Sequence, residues 1–508
     1  MSVIKKLAGQ TAIYGSSSII GRFLNFMLTP LYALQFSNEQ YGIITEMYAY
    51  VAFLVVVLTY GMETSYFRFS SQKDNLKKDV YSNTLYSLLT TSTFFILIMS
   101  YFSPDIASWL KYPNHSEYII WFGMIVGLDA ISSIPLAKLR SEYKAKKFAL
   151  VNFANVGVNI TLNLFFILYC KSGYDSGETN WIIDTLYSPE IGVGYVFISN
   201  LISSIVKFLL LVPEMNLKGH FDWTLLKKML TYSYPMLFVG LAFVINETLD
   251  RAMLKDMLYN QYMDSGMSSV KSLEMALSQN GIYGANYKIT MIVTMFIQAF
   301  RYASEPFFFN NEKNKNSKEI FATIMNYFVI TLVFIFLIIT LYLQVFKYFI
   351  PNPAFWEGLK VVPILLAANI CLGIYTTVSM WYKLTKKTIY GAYISIFGAL
   401  ITLTINFIFI PNYGYLASAY ATLACYGAMM LLSYLLGQKF YPIKYDIKKI
   451  ALYVSLGALL YIISLPLLKN QEFQVTYYAY HTLLLLVFIA VVFFIEKRGF
   501  NPKNQLLS

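Results

Sequence analysis

Charge is scarce in this 508-residue chain: Asp, Glu, Lys and Arg together make up 13% of it. Soluble domains carry about 25%, and disordered chains combine higher charge with too little apolar surface to bury, so both classes are excluded. Cysteine is scarcer still. Cys170, Cys371 and Cys425 lie in or at the end of apolar runs without metal-like spacing, which reads as small core residues and not as ligands or a disulfide framework. His115, His220 and His481 are scattered singly and propose neither a zinc site nor histidine catalysis. There is no Walker loop, no H-E-x-x-H and no long outer loop with paired carboxylates, so no enzyme signature is present and no cofactor is called for. Without an ATP site, energy for any work must come from an ion gradient, a membrane potential or a substrate gradient.

What the chain has is apolar length: 57% hydrophobic and 18% aromatic residues, with a mean hydropathy of +0.53. About 20 helical residues cross a hydrocarbon core about 30 Å thick, and fourteen segments are apolar enough to do so. They lie near 11–35, 41–66, 81–102, 118–137, 148–170, 191–212, 232–254, 281–309, 321–345, 361–382, 389–410, 414–437, 450–468 and 476–495. The expectation is an all-α polytopic membrane protein with 14 transmembrane helices. The first span is long, contains Arg22 and runs on to Pro30, so it reads as a retained helix and not a cleaved signal. No soluble domain interrupts the spans, and the longest outer connections, about 172–190 and 255–280, read as short polar loops.

The net charge of +12 is an orientation signal and not a nucleic-acid footprint. Of 39 Lys and Arg, 27 fall in the N-terminus, the even-numbered loops and the C-terminus. The odd-numbered loops hold seven: Lys111, Lys171, Lys255, Lys271, Lys347, Lys360 and Lys469. The positive-inside rule then places both termini in the cytoplasm.

The chain also repeats itself. Tyr41-Gly42-Ile43 and Tyr48 align with Asn280-Gly281-Ile282 and Tyr287 at an offset of 239 residues, and Lys146-Lys147 aligns with Lys386-Lys387 at 240. Leu162-Asn163 meets Ile405-Asn406 at 243, and after a longer loop in the first half Gly192-Val193 meets Gly414-Tyr415 at 222. A shift of six spans preserves orientation, so the repeat is parallel, its pseudo-two-fold along the membrane normal. The expected domains are a first six-helix lobe over 1–220, a second over 221–440, and two appended helices with a tail over 441–508.

Charge inside the spans is concentrated on repeat-related helices one, two, seven and eight. Each embedded charge costs about 2.5–3.5 kcal/mol on insertion scales unless paired or hydrated, so these faces point to a polar cleft between the lobes. Glu247, Asp250 and Arg251 sit at i, i+3 and i+4, and Arg301 and Glu305 at i and i+4, each set on one helical face. One reading makes Arg22, Lys288 and Arg301 contacts for an anionic substrate group. Glu46, Glu63, Glu247, Asp250, Arg251 and Glu305 then form gating pairs or a Na+ or H+ coupling site. The other reading makes Asp250–Arg251 and Arg301–Glu305 local pairs that only lower the insertion cost. Pro30, Gly61, Pro135, Pro235, Gly240, Pro306 and Pro363 are candidate bends.

The stretch Asn246-Glu-Thr-Leu-Asp-Arg-Ala-Met-Leu254, with Gly281-Ile-Tyr-Gly-Ala-Asn-Tyr-Lys-Ile289 and Gln298-Ala-Phe-Arg-Tyr-Ala-Ser-Glu-Pro306, resembles the second-lobe opening of polysaccharide-type flippases. These belong to the multidrug/oligosaccharidyl-lipid/polysaccharide exporter superfamily. Lys5-Lys6, Gly21-Arg22-Phe23, Pro30 and Gln40-Tyr41-Gly42 resemble the same family's first two helices. The resemblance implies a flippase of the bacterial inner membrane. It would move undecaprenyl-diphosphate-linked oligosaccharide to the periplasmic leaflet by alternating access, for O-antigen or capsule, with helices one, two, seven and eight around the cavity. Membrane lipids, a polysaccharide polymerase and glycosyltransferases are the implied partners. The rivals are a lipid II flippase, a cation-coupled multidrug exporter with an acidic, aromatic cavity, and a noncatalytic scaffold of a polysaccharide assembly complex. The cavity helices here hold comparable numbers of acids and bases, less plainly cationic than a lipid II flippase implies.

Overall fold

The computed structural model describes residues 15, 17, 19–70, 77–178, 180–311, 316–466 and 474–499. Among the described residues the regular elements are all helical and no strand occurs. Twelve of these helices are long and apolar enough to cross a membrane. They coincide with twelve of the expected spans. The first expected span begins, together with Lys5 and Lys6, outside the described residues, and the eighth lies within the 43-residue helix Ser269–Asn311. Large apolar side chains such as Phe94, Leu97, Phe407, Leu435 and Phe494 are exposed along these helices. A soluble monomer does not leave so much apolar surface open, whereas lipid covers it.

Local signals set the boundaries that matter for the site. Ser37 accepts from the Gln40 N–H while the Gln40 side chain reaches back to the Ser37 N–H, a capping box that starts helix Asn38–Thr59. The helix stops at Tyr60 and Gly61, both in the left-handed region, before Met62–Ser70 resumes. Asp222 caps helix Trp223–Val244 by accepting from the Thr224 and Leu225 N–H groups. That helix continues through a π-helical segment, Ile245–Leu249, into Asp250–Asp264. It therefore corrects the expected outer loop over 255–280: helix fills most of it, and only Ser265 to Ser268 separate Asp264 from the next helix. Loss of hydropathy beyond Leu254 marked the end of an apolar run and not the end of a helix. The first break signal is Gly266, with φ of 86°.

The chain forms two compact units. The first comprises residues 1–288 and 395–421. Its core gathers Ile44, Met47, Phe122, Ile125 and Phe197 around a T-shaped contact of Tyr48 with Phe122. A second cluster joins Met62, Leu85, Leu88, Ile134 and Met229. Asp129 and Lys207 pair at 2.6 Å between helices Ser116–Ser141 and Gly194–Leu211. The second unit comprises residues 289–394 and 422–508. There helix Ser317–Leu341 packs on Val362–Val378 and Ile447–Ser464. Gly373 and Gly457 give it close seats against Leu332 and Val333.

Candidate functional site

The densest buried charge in the first unit is one that the sequence reading split in two. Glu46, on helix Asn38–Thr59, and Lys255, on helix Asp250–Asp264, are both fully buried and pair at 2.7 Å. Tyr112 donates its hydroxyl to Glu46 at 2.6 Å, and Lys255 donates to the Leu110 carbonyl at 3.0 Å. The network runs outward through Asp256, 3.5 Å from Lys255 and 2.9 Å from Lys111. Burial, together with the Glu46 carboxylate beside it, pushes the Tyr112 phenol well above its ordinary range. It stays a donor, as a carboxylate in a dry site requires. Thus Glu46, expected in a gating pair or an ion-coupling site, is paired with a lysine that had been assigned to a loop. The missed signal was register: Lys255 lies four residues beyond Arg251 and eight beyond Glu247, on the same helical stripe.

Backbone contact reinforces the same region. A Cβ on Gly42 would stand 2.0 Å from the Leu277 carbonyl oxygen, and one on Gly281 would stand 1.9 Å from that of Asn38. Helices Asn38–Thr59 and Ser269–Asn311 therefore cross backbone to backbone at the two glycines that the repeat aligns. Hydrogen at Cα is the only substituent that fits.

One turn further, the π-helical segment re-aims the polar stripe of the seventh span. A π turn inserts an extra residue and is frequent at functional sites. Asp250 and Arg251 are buried neighbours at 3.3 Å, and Tyr283 donates to Asp250 at 2.7 Å. Arg251 lies over the Tyr287 ring, 4.1 Å from its centroid, and donates to the Glu247 carbonyl. Glu247 is half-buried. Asp250 and Arg251 therefore meet as neighbours on one helix, with two tyrosines added. Lys288, half-buried, makes no ion pair or hydrogen bond among the described residues, and the charge nearest in effect is the like-charged Arg251.

The remaining expected residues separate. Glu63 pairs with Arg140 at 2.5 Å. Arg68, which was not among the expected residues, lies on the same helix as Glu63, 4.1 Å from the Tyr232 ring centroid. In the second unit Glu305 pairs with Lys383 and not with Arg301, which corrects the expected i, i+4 pair. Arg301 is exposed, and no carboxylate pairs with it among the described residues. Arg22 is exposed on its helix. Each embedded acid with a resolved partner is thus neutralised, and the cations Lys288 and Arg301 are left over. Among the described residues no three His, Cys, Asp or Glu side chains gather in metal-binding geometry.

The family model for "Polysaccharide biosynthesis protein" matches residues 7–312, more than half of the 508-residue chain. No curated protein matches. The fold is similar to that of the lipid II flippase MurJ in an inward closed conformation, with a TM-score of 0.68 at 15% identity, covering 95% of this chain and 99% of that one. It is also similar to an inward-facing multidrug resistance MATE family transporter of the MOP superfamily, with a TM-score of 0.63 at 14% identity, covering 82% and 94%. At these identities the likeness is one of fold. By the extent of its family match and by this shared fold, the chain belongs to the polysaccharide biosynthesis protein family.

Proposed function

We propose that this protein is a flippase carrying undecaprenyl-diphosphate-linked oligosaccharide from the cytoplasmic to the periplasmic leaflet of a bacterial inner membrane, by alternating access. The observation that carries the reading is the uneven pairing of the embedded charges. Glu46, Glu63, Asp250 and Glu305 all have basic partners, while Lys288 and Arg301 have no carboxylate partner among the described residues. Two cations left without counterions in apolar helices suit a diphosphate, which brings its own negative charge. This answers the near balance of acids and bases in the sequence, because most of that balance is consumed internally. Arg22 is the third proposed contact.

Family membership supports a polysaccharide substrate, and the fold supports transport without a catalytic centre. The lobes over 1–220 and 221–440 would rock about the bound headgroup while the prenyl tail stays in lipid, with Na+ or H+ as the coupling ion. The test is transfer of a labelled undecaprenyl-diphosphate oligosaccharide between leaflets of proteoliposomes. Wild-type protein should transfer it, and Lys288→Met and Arg301→Met should each lower the rate at least about tenfold while the protein stays folded. Undiminished transfer in both variants sinks the diphosphate reading. Equal transfer of lipid II would assign the protein to peptidoglycan precursors instead.

A further inference from the structure

The repeat pairs Lys146-Lys147 of the first unit with Lys386-Lys387 of the second, and the two copies meet different surroundings. In the first unit Lys147 lies 2.6 Å from the Glu214 carboxylate, and Lys138 and Lys144 each lie 3.6 Å from it. Glu214 is buried, so those lysines have a fixed internal counterion. At the offset of 222 residues that holds there, Glu214 corresponds to Leu436. The second unit therefore keeps the lysines and lacks the acid.

In its place stands an aromatic platform. The Lys387 ammonium is 3.8 Å from the Phe440 ring centroid, and the Lys439 ammonium is 5.7 Å from the same centroid, which puts the two cations within about 10 Å of each other. Phe440 is held by Trp381, stacked at 5.4 Å, and by Tyr390 at 5.0 Å, while Trp381 donates its indole N–H to the Ser433 carbonyl at 3.1 Å. Lys386, Lys387 and Lys439 are exposed, and none has a carboxylate partner among the described residues. The neighbouring acids are already engaged: Glu305 by Lys383, Asp446 as a helix cap, and Glu496 by Lys449. An aromatic face attracts a cation without neutralising it, so the two ammonium groups still repel across one ring.

Directly after the lysines helix Ile389–Tyr413 exposes Ile389 and Tyr393, and just before Lys439 helix Tyr415–Phe440 exposes Leu431 and Leu435. A spacing of four residues sets each pair on one helical face. A cationic cluster beside exposed apolar side chains matches a molecule with a phosphate head and hydrocarbon chains. We propose that Lys386, Lys387 and Lys439, on the Phe440 platform, bind the phosphate of an anionic phospholipid whose acyl chains lie along the exposed Ile389, Tyr393, Leu431 and Leu435 side chains. The site is separate from the embedded charges of the transport reading and stands whether or not that reading holds.

The test is native mass spectrometry of the full chain, with dioleoylphosphatidylglycerol as the probe and dioleoylphosphatidylcholine as the control. Wild-type protein should retain the anionic lipid in preference to the neutral one. K387Q/K439Q should weaken that retention about tenfold, and K387R/K439R should restore it, which separates loss of charge from loss of fold. K144Q/K147Q, whose lysines already have Glu214, should leave retention unchanged. Equal retention of the two lipids by wild type, or equal loss in both glutamine pairs, overturns the site. Displacement of the phosphatidylglycerol by soluble geranyl diphosphate at lower concentration also overturns it, assigning the cluster to prenyl diphosphates.

Discussion

Replacing Lys255 with methionine tests whether the buried network is a unit. The ammonium is fully buried, 2.7 Å from Glu46 and 3.0 Å from the Leu110 carbonyl. Lys255→Met leaves the Glu46 carboxylate dry and without its cation, with the Tyr112 hydroxyl, at 2.6 Å, and the Tyr50 phenol beside it. Removing one partner of a buried pair costs about 3–5 kcal/mol because the other charge is left uncompensated. Glu46→Gln strands Lys255 in the same way and should cost a similar amount. The double variant Glu46→Gln/Lys255→Met leaves no charge at this pair, and replacing a whole pair by neutral groups is often nearly neutral. It should therefore recover most of the loss, giving a coupling of about 3 kcal/mol or more in the double-mutant cycle. Equilibrium unfolding of the protein in bicelles, followed for all four chains, measures the cycle. Single variants costing under about 1 kcal/mol, or a double variant equal to the sum of the singles, would show that the pair is hydrated and refute the argument.

Three further outcomes follow from the geometry. Gly281→Ala puts a methyl group 1.9 Å from the Asn38 carbonyl oxygen and must force two helices apart, so it should lower thermal stability sharply, whereas Gly427→Ala, with nothing within 4 Å, should be silent. Glu305 and Lys383 are each about one-third exposed, so Lys383→Met should cost at most about 1 kcal/mol in unfolding, and a larger transport defect would mark the pair as part of the moving machinery. Tyr112 has its phenol raised by burial above the ordinary value of 10.0. Its contribution to stability should be complete below pH 10 and fade as pH climbs through the raised value, so the alkaline stability curve of Tyr112→Phe should fall less steeply than that of the wild type.

How far the molecule can be read from its residues differs from feature to feature. The spans were legible because lipid demands long apolar helices, whereas the Ser37–Gln40 capping box that starts one of them was not read from the sequence. Lys255 was misplaced because hydropathy reports what lipid touches, whereas this lysine lies against protein. The stripe of Glu247, Asp250 and Arg251 was drawn on a period of 3.6, and the π turn at Ile245–Leu249 breaks that period without any residue that announces it. Arg301 and Glu305 satisfied the local rule for an ion pair, yet Lys383, 78 residues distant in sequence, took the acid. Spacing along one helix says which groups are able to meet, and only tertiary packing decides which do. The repeat offset did bring Gly42 and Gly281 into correspondence, without indicating that they touch.

That crossing has a mechanical consequence. A joint made of interlocked side chains must strip each chain from its socket and leave holes behind when it parts. Where two backbones lie against each other at glycine, no side-chain socket exists, and the Asn280 amide donates across the crossing to the Gly42 carbonyl at 3.4 Å. On the flippase reading the crossing would serve as a bearing, and the charge network of Glu46 and Lys255, one turn along the same helix, as its catch. Close approach and charge pairing are thereby divided between neighbouring residues: the charge pair admits substitution, and the two glycines do not.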